Sequence, residues 1–136
     1  MTISTILSAG HTAQQKQNYL HNLANKTNIS VARKNQLPST KVRIRDVQVQ
    51  DNYVLNLNYQ GYLRDKKLIK KFKRMHSMKA RNKFCKNSFY KRMQDGLKIN
   101  FTYFNHKNNF ITDFYLDEKK CTATNKRLNT LLASKS

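Results

Sequence analysis

The residues of this chain best suited to chemistry are its two cysteines, Cys85 and Cys121, and two of its four histidines, His76 and His106. A cysteine pair in a small domain is a disulfide, two buried free thiols, or part of a metal or redox site. The four residues match no standard zinc spacing, and no CxxC redox motif is present. The residues by themselves therefore predict no metal site, and they leave a disulfide and two free thiols as alternatives.

Patterns of catalytic residues are sparse. The seven acidic residues fall mostly at predicted turns and helix ends, where local hydrogen bonding accounts for them. Three glycines are too few for a phosphate-binding loop, and no serine or cysteine stands in a nucleophile-elbow motif. A small hydrolase with Cys85 as its nucleophile is the least implausible enzymatic hypothesis. Because catalytic motifs are sparse, the sequence predicts a protein without enzymatic activity and without a cofactor.

The charge of the chain points to an acidic partner. The chain has 136 residues, with 27 Lys and Arg against 7 Asp and Glu, and a formal net charge of +20. Such a charge attracts polyanions of several kinds, including nucleic acid, envelope polymers and acidic proteins. Residues 64–92 alone contain 13 of the 27 cations and a single acid, Asp65.

The segment LRDKKLIKKFKRMHSMKA, residues 63–80, has the spacing of an amphipathic helix. We predict that Leu68, Ile69, Phe72 and Met75 lie on the side that faces the core, together with Lys79. The cations of the opposite side and of the residues that follow are the predicted partner-binding or polyanion-binding residues: Lys66, Lys67, Lys70, Lys73, Arg74, Lys79, Arg81 and Lys83.

The periodicities along the chain predict the order helix, hairpin, helix, helix, hairpin, tail. Thr12 and Gln15 have the pattern of a capping box at the start of the first helix. Alternation predicts β-hairpins at about 42–60 and 97–116, with a bulge at Arg45-Asp46. A second short helix is predicted at about 82–94, with Asp95-Gly96 as its stop.

These elements predict an α+β fold in which an antiparallel sheet of two hairpins is covered by an N-terminal helix and a pair of central helices. We expect a flexible start at residues 1–10 and a single domain at 11–121. The tail, residues 122–136, is expected to be frayed or weakly helical.

The order of motifs resembles a group of small exported bacterial proteins. The motifs are Leu37-Pro38, RDVQVQDNYVLNLNYQ, a helix with a cysteine, Asp95-Gly96, and INFTYFNHKNNFITDFYL with a closing cysteine. Proteins of that group have a signal peptide or lipoprotein leader, a first hairpin, a helix carrying one cysteine, and a Tyr-containing second hairpin that ends at a second cysteine. The resemblance covers residues 37–121 and contains no catalytic motif.

The resemblance implies a periplasmic or secreted α+β domain with a disulfide between Cys85 and Cys121, and it implies no activity. A disulfide that closes a loop of 36 positions stabilises a fold by about 3.8 kcal/mol in the chain-entropy model.

No stretch approaches the roughly 18 apolar residues of a membrane span, so we predict no transmembrane segment. The start, MTISTILSAG, lacks the basic region of a signal peptide, which is consistent with a cytoplasmic protein or with an exported one whose leader is absent.

Two functions follow as hypotheses. The first is an exported, non-enzymatic binding or accessory protein whose cationic helix docks an acidic protein or an envelope polyanion. A component of a secretion or conjugation apparatus and an immunity-type protein are examples. The second is a cytoplasmic nucleic-acid-binding protein of little sequence specificity, in which Tyr53, Tyr59, Tyr62 or Tyr90 stacks on unpaired bases.

The redox state of the cysteines separates these two hypotheses. We expect the protein, purified without reductant and unfolded, to resist thiol alkylation until reductant is added. Its intact mass should be lower by two hydrogen atoms than the mass of the reduced chain. Immediate alkylation of both thiols would contradict the disulfide and favour the cytoplasmic hypothesis.

Overall fold

The computed structural model describes residues 12–34 and 42–134. In chain order the elements are α1 Ala13–Lys34, β1 Arg43–Gln50, β2 Val54–Gly61, α2 Lys66–Phe84, α3 Asn87–Gln94, β3 Lys98–Asn105, β4 Phe110–Leu116 and α4 Glu118–Ser134. The predicted flexible start and the Leu37-Pro38 segment lie outside the described residues.

Four strands form one sheet in the order β1-β2-β3-β4. β1 pairs with β2 and β3 with β4, both antiparallel, so the predicted α+β class and both hairpins are confirmed. The hairpins meet through β2 and β3, which are parallel, and the sheet is therefore mixed rather than antiparallel throughout. The reason is the connection, since α2 and α3 return the chain to the end of the sheet at which β2 began, as a crossover between parallel strands requires.

The first helix begins at the predicted capping box. The Thr12 backbone N–H donates to Gln15 Oε1 at 2.9 Å, and the Gln15 N–H donates to Thr12 Oγ1 at 3.1 Å. Leu20 and Ala24, one turn apart, are buried against the sheet. The capping box therefore fixes the start of α1, and its narrow apolar stripe packs on the core.

Side-chain amides of α1 close the outer edge of β1. Asn28 Nδ2 donates to the Val47 carbonyl at 2.9 Å, and the Val47 N–H donates to Asn28 Oδ1 at 2.8 Å. Near the start of the same helix, Gln17 Nε2 donates to the Gln50 carbonyl at 3.2 Å, and Gln17 Oε1 accepts from the Tyr53 N–H at 2.9 Å. Unpaired edge groups of this kind invite pairing with another chain. The amides of α1 therefore protect the β1 edge.

The predicted bulge in the first hairpin is present. The register of β1 against β2 shifts between Ile44 and Asp46. Arg45, at the shift, donates from Nε to Asp46 Oδ1 at 3.0 Å, and its guanidinium lies 4.3 Å from the centre of the Phe104 ring. An extra residue at this point lets apolar residues on both sides of the bulge face the core.

The core lies between one face of the sheet and the helices. Its strand residues come from alternate positions: Val47, Leu55, Leu57, Ile99, Phe101, Tyr103 and Leu116. The Phe101 ring lies 4.6 Å from Phe114 and 5.6 Å from Phe84, between centroids. These contacts join a sheet layer and a helix layer into one hydrophobic core.

The central helices differ from the predicted bounds. Residues 82–84, expected in the second short helix, continue α2, and α3 starts only at Asn87. The break falls at Cys85, whose N–H still bonds the Arg81 carbonyl at 2.9 Å, and at Lys86, which is extended. The stop at Asp95-Gly96 is confirmed, because Gly96 has φ +108°, a conformation that glycine adopts without strain.

The C-terminal part forms a helix. α4 starts at Glu118, and the Asp117 side chain accepts the Lys120 N–H at 3.0 Å, as residues before a helix commonly do. The tail, expected to be frayed or weakly helical, belongs to α4 as far as Ser134. Cys121, in the first turn, is fully buried.

The amide contacts of α1 make a testable prediction. Replacing Asn28 with Ala leaves the N–H and C=O of Val47 without their partner, which should lower the free energy of unfolding by about 1–3 kcal/mol. The opened edge should also favour concentration-dependent dimers. Denaturant unfolding and sedimentation measure the two effects.

The control is Asn25→Ala on the same helix, since Asn25 is exposed. This variant should unfold like the wild type and should stay at the same oligomeric state. Equal stability of the two variants would contradict the assigned role of Asn28.

Candidate partner-binding site

The second helix has a buried side that differs from the prediction. Asp65 begins the helix by accepting the Lys67 N–H at 2.8 Å. The side that faces the sheet consists of residues spaced by three or four positions: Ile69, Phe72, His76, Ala80 and Phe84. Of these, Ala80 and Phe84 are buried.

Two apolar residues that we predicted to face the core point to solvent instead. Leu68 is 61% exposed and Met75 is 48% exposed, and Met78 joins them at 58%. The helix is rotated so that the rings of Phe72 and His76 reach Tyr103, and this rotation carries Leu68 and Met75 outward. The expectation that these two residues belong to the core was wrong.

Cations surround the exposed apolar residues. Lys67, Lys70, Lys71 and Arg74 line a shallow depression of about 480 Å³. Positions three and four apart are neighbours on a helix, so Leu68, Met75 and Met78 follow one apolar strip along it, which Lys71 interrupts. The residues of this strip and its cationic border form the outer face of α2: Lys67, Leu68, Lys70, Lys71, Arg74, Met75 and Met78.

The predicted binding cations do not all belong to this face. Lys67, Lys70 and Arg74 lie on it, with Lys66 exposed at the first turn of the helix. Of the rest, Lys73 and Arg81 are half-buried, and Lys79 and Lys83 are exposed on the flank beside Phe72 and Phe84. Lys83 Nζ lies 5.3 Å from the centre of the Phe84 ring.

Sequence reasoning missed two members of the outer face, Lys71 and Met78, which it did not single out. It also placed Leu68 and Met75 in the core, although both are exposed. A signal for Lys71 was available, because it is four residues from Lys67 and three from Arg74. No signal distinguished exposed from buried apolar residues, since both sets recur at helical spacing.

An aromatic cluster holds the inner side of α2. His76 Nδ1 contacts the Tyr103 hydroxyl, and its ring lies 5.0 Å from Tyr59 and 5.1 Å from Phe72. Burial raises the pKa of Tyr59 to about 12, and burial, with the neighbouring Tyr59, also raises the pKa of Tyr103. Burial and, to a smaller extent, the charge of Lys79 lower the pKa of His76. Burial in the cluster therefore favours the neutral form of His76.

The cysteines lie together and away from solvent. Cys85, after α2, and Cys121, in α4, are at disulfide distance, with Cα atoms 5.1 Å apart. They are 2% and 0% exposed. A reagent or substrate cannot reach either sulfur in this arrangement, so the geometry does not favour Cys85 as a nucleophile.

The two histidines considered as metal ligands serve ring packing. His76 packs in the aromatic cluster, and His106 stacks on Tyr62 at 4.6 Å. Among residues 12–34 and 42–134, no group of three or more His, Cys, Asp and Glu side chains is placed to hold a metal ion. Within the same ranges, no helix is long and apolar enough to cross a membrane.

The fold is similar to solved structures of bacterial proteins. A candidate secreted protein from Pseudomonas aeruginosa matches with a TM-score of 0.62 and 12% identity, over 82% of this chain and 99% of that chain. The type II secretion pilotin EpsS from Vibrio vulnificus matches at 0.49 with 10% identity, over 79% and 96% of the two chains. The pilotin AspS from Vibrio cholerae matches at 0.46 with 14% identity, over 79% and 97%. At such identities the likeness is one of fold alone.

The sequence matches no protein-family model. No curated protein matches the sequence either.

The buried His76 predicts how stability depends on pH. Its folded pKa is lowered from the usual value of about 6.5, so the unfolded chain binds a proton first as the pH falls. The contribution of His76 to the free energy of unfolding is therefore complete above about pH 6.5. It is lost as the pH falls towards the folded pKa, by at most about 1.4 kcal/mol per pH unit. Denaturant unfolding at several pH values between 7.5 and 5 should show this loss.

Two variants test the assignment. His76→Phe keeps an aromatic ring in the cluster and should flatten the dependence on pH in that range. His21→Gln changes an exposed histidine of α1 and should keep the wild-type slope. An unchanged slope in His76→Phe would show that another group titrates.

Proposed function

We propose that this chain is an exported accessory protein without enzymatic activity, which binds an acidic protein through the outer face of α2. A secretion or conjugation apparatus is one setting for such a protein. An immunity-type protein that masks an acidic toxin is another.

The observation that carries this proposal is the apolar strip inside the cationic face. Leu68, Met75 and Met78 are each 48% to 61% exposed and lie beside Lys71 and Arg74. A polyanion such as an envelope polymer or nucleic acid would use the cations and leave the strip in water. A protein partner uses both, because protein interfaces have an apolar centre and a charged rim. The methionines add a flexible, polarisable surface of the kind that adapts to partner side chains.

The positive charge of the outer face of α2 indicates which residues its partner carries. The outer face of α2 carries four cations in a single depression, and the described acids nearest in sequence are Asp65 and Asp95. Like charges facing each other across an interface cost affinity, whereas opposite charges steer association. The partner surface is therefore acidic, with apolar residues at its centre.

Export is supported by the cysteines. A disulfide persists in the periplasm and outside the cell but is rare in the cytosol, and Cys85 and Cys121 lie at disulfide distance. The Pseudomonas structure that shares the fold is described as a candidate secreted protein, which agrees with this location.

The nucleic-acid hypothesis is less well supported. Of the tyrosines proposed for base stacking, Tyr53 is 4% exposed, and Tyr90 donates or accepts a hydrogen bond with Thr122 at 2.9 Å. Tyr62 is exposed but stacked on His106, and Tyr59 belongs to the aromatic cluster under α2. These rings are engaged in the fold, so no row of free aromatic faces accompanies the cations.

Site-specific photo-crosslinking in the source cells tests the proposal. A photo-reactive residue at position 71 should form a discrete adduct with one acidic protein, whereas the same residue at the exposed position 107 should not. Two results together would overturn the proposal in favour of a polyanion: no protein adduct at position 71, and retention on a polyphosphate column that depends on the lysine and arginine side chains of the outer face of α2.

Substitution of the strip separates apolar from electrostatic binding. The triple change Leu68→Gln, Met75→Gln and Met78→Gln should weaken partner binding about 100-fold or more, at about 1–2 kcal/mol for each well-packed interface residue. Retention on polyphosphate should not change, because the charge is the same. Titration with the crosslinked partner, once purified, measures the first effect.

The matched control changes two exposed apolar residues elsewhere, Ile29→Gln and Phe110→Gln. Binding should remain within about threefold of the wild type. The stability of all these variants should stay within about 0.5 kcal/mol per exposed substitution. A triple variant that binds like the wild type would show that the strip is not part of the interface.

A further inference from the structure

The sheet has two edge strands, and only one of them is closed. The side-chain amides of Gln17 and Asn28 bond to the backbone of β1. β4 pairs with β3 on one side and has no strand on the other. Within residues 12–34 and 42–134, no hydrogen bond from outside the sheet reaches the backbone of β4. The unpaired N–H and C=O groups along its outer side therefore match the backbone of another extended strand.

The free edge of β4 is short and regular. Pairing with β3 is in register from Thr112 to Leu116, and a bulge at Ile111 ends the regular stretch. No Lys, Arg or Pro stands in β4 to discourage pairing with another chain. Successive residues of a strand alternate between the two faces of the sheet, so Asp113 and Tyr115 lie on the same face.

Both signs of charge are present beside this edge. Asp113 is exposed, and among the residues that the structure describes it forms no ion pair. Two lysines approach the Tyr115 ring, with the Nζ of Lys98 4.4 Å and the Nζ of Lys120 3.7 Å from its centre. An unpaired carboxylate therefore lies two positions along the strand from a tyrosine that carries two ammonium groups.

These charges favour one register for two copies of the chain. Copies that pair antiparallel through β4 are related by a twofold axis, and because opposite residues share a face, the axis passes through one residue. An axis at Asp113 would set two carboxylates against each other, and an axis at Tyr115 would set Asp113 against Asp117. An axis at Phe114, the middle of the regular stretch, pairs the whole stretch and sets Asp113 of each copy opposite Tyr115 of the other.

We propose that a second copy of this chain pairs with the β4 edge, with the twofold axis at Phe114, so that two four-stranded sheets join edge to edge. The Cβ atoms of directly opposite residues lie about 4.5–5.5 Å apart. Each Asp113 therefore comes within reach of Lys98 and Lys120 of the other copy. The phenylalanines at the axis form a cross-strand aromatic pair, which sheets favour. The edge is short, so the dimer is weak and reversible.

The large positive charge of the chain lies mainly elsewhere. Residues 64–92, which include α2 and most of α3, hold 13 of the 27 cations. Residues 108–118, which include β4, hold no Lys or Arg and three of the seven acids, Asp113, Asp117 and Glu118. At about 0.15 M salt, exposed charges more than about 8 Å apart are largely screened. The two copies therefore meet through acids and the lysines that complement them, rather than through their cationic helices.

Sedimentation equilibrium of the full-length, disulfide-intact chain tests the proposal, at about 0.15 M salt and up to millimolar concentration. The wild type should show a reversible equilibrium between monomer and dimer. Asp113→Lys should weaken the dimer at least tenfold, because it sets a cation against Lys98 and Lys120 of the other copy. The matched control is Asp51→Lys, which makes the same change of charge at an exposed position of the first hairpin turn and should dimerise like the wild type. A wild type that stays monomeric throughout would overturn the proposal.

An exchange of charges between copies tests the register. The double variant Lys98→Glu with Lys120→Glu should also fail to pair with itself, because carboxylates then face Asp113. An equimolar mixture of this variant with Asp113→Lys should form a dimer of one copy of each, since opposite charges then meet at both ends of the pairing. A dimer that persists in Asp113→Lys, or a mixture that stays monomeric, would overturn the assignment. The acidic-partner proposal would be untouched by either result, because it uses none of these residues.

Discussion

Between the two hairpins, β2 and β3 lie side by side in the same direction, from the pair Val54 and Lys98 to the pair Gly61 and Asn105. Two strands that follow each other in a parallel arrangement need a connection that crosses back over the sheet. Here α2 and α3 make that crossing, so the cationic helix lies over one face of the sheet. The same constraint leaves the other face without a helix from the crossing. The position of the outer face of α2 therefore depends on this single pairing.

The orientation of α2 depends on aromatic packing beneath it. Phe72 and His76 meet Tyr103 edge-on at 5.2 and 5.3 Å, and Phe84 meets Phe101 at 5.6 Å. Rings bury much area and prefer such geometry, whereas Leu68 and Met75 would bring less specific contacts. Phe72, His76 and Phe84 thus take the inner side together with Ile69 and Ala80, and Leu68 and Met75 remain outside among lysines. The cysteine pair then ties the end of α2 to the first turn of α4, over a separation of 36 residues.

Local signals in the sequence were sufficient for much of the fold. The capping box of Thr12 and Gln15, the change of alternation at Arg45-Asp46 and the stop at Gly96 are each visible within four positions of the sequence. Such features are decided by backbone geometry and short-range hydrogen bonds, which a single segment contains in full. For the same reason the alternation of the strands predicted both hairpins.

The candidate site was less predictable. The helix and its cations followed from residues 63–80, but the assignment of Leu68 and Met75 to the core did not hold. Helical spacing leaves the rotation of the helix about its own axis uncertain by about one residue position. Several overlapping sets of apolar residues recur every three or four positions, and each set is a possible buried side. Which set is buried is decided by the shape of the sheet that the helix meets. The amides of Gln17 and Asn28 illustrate the same limit, since an edge strand lies beside them only after folding.

By itself, the sequence determined the α+β class, the two hairpins, the central cationic helix and the excess charge, all of which depend on composition and neighbouring residues. Only the tertiary structure decided that β2 and β3 run parallel, that Leu68, Met75 and Met78 are exposed, and that Asn100 donates to Asn56 across these two strands. The physical reason is that each of these depends on contacts between residues far apart in the chain. Their free energy comes from burial and pairing across elements, which no local pattern of residues contains.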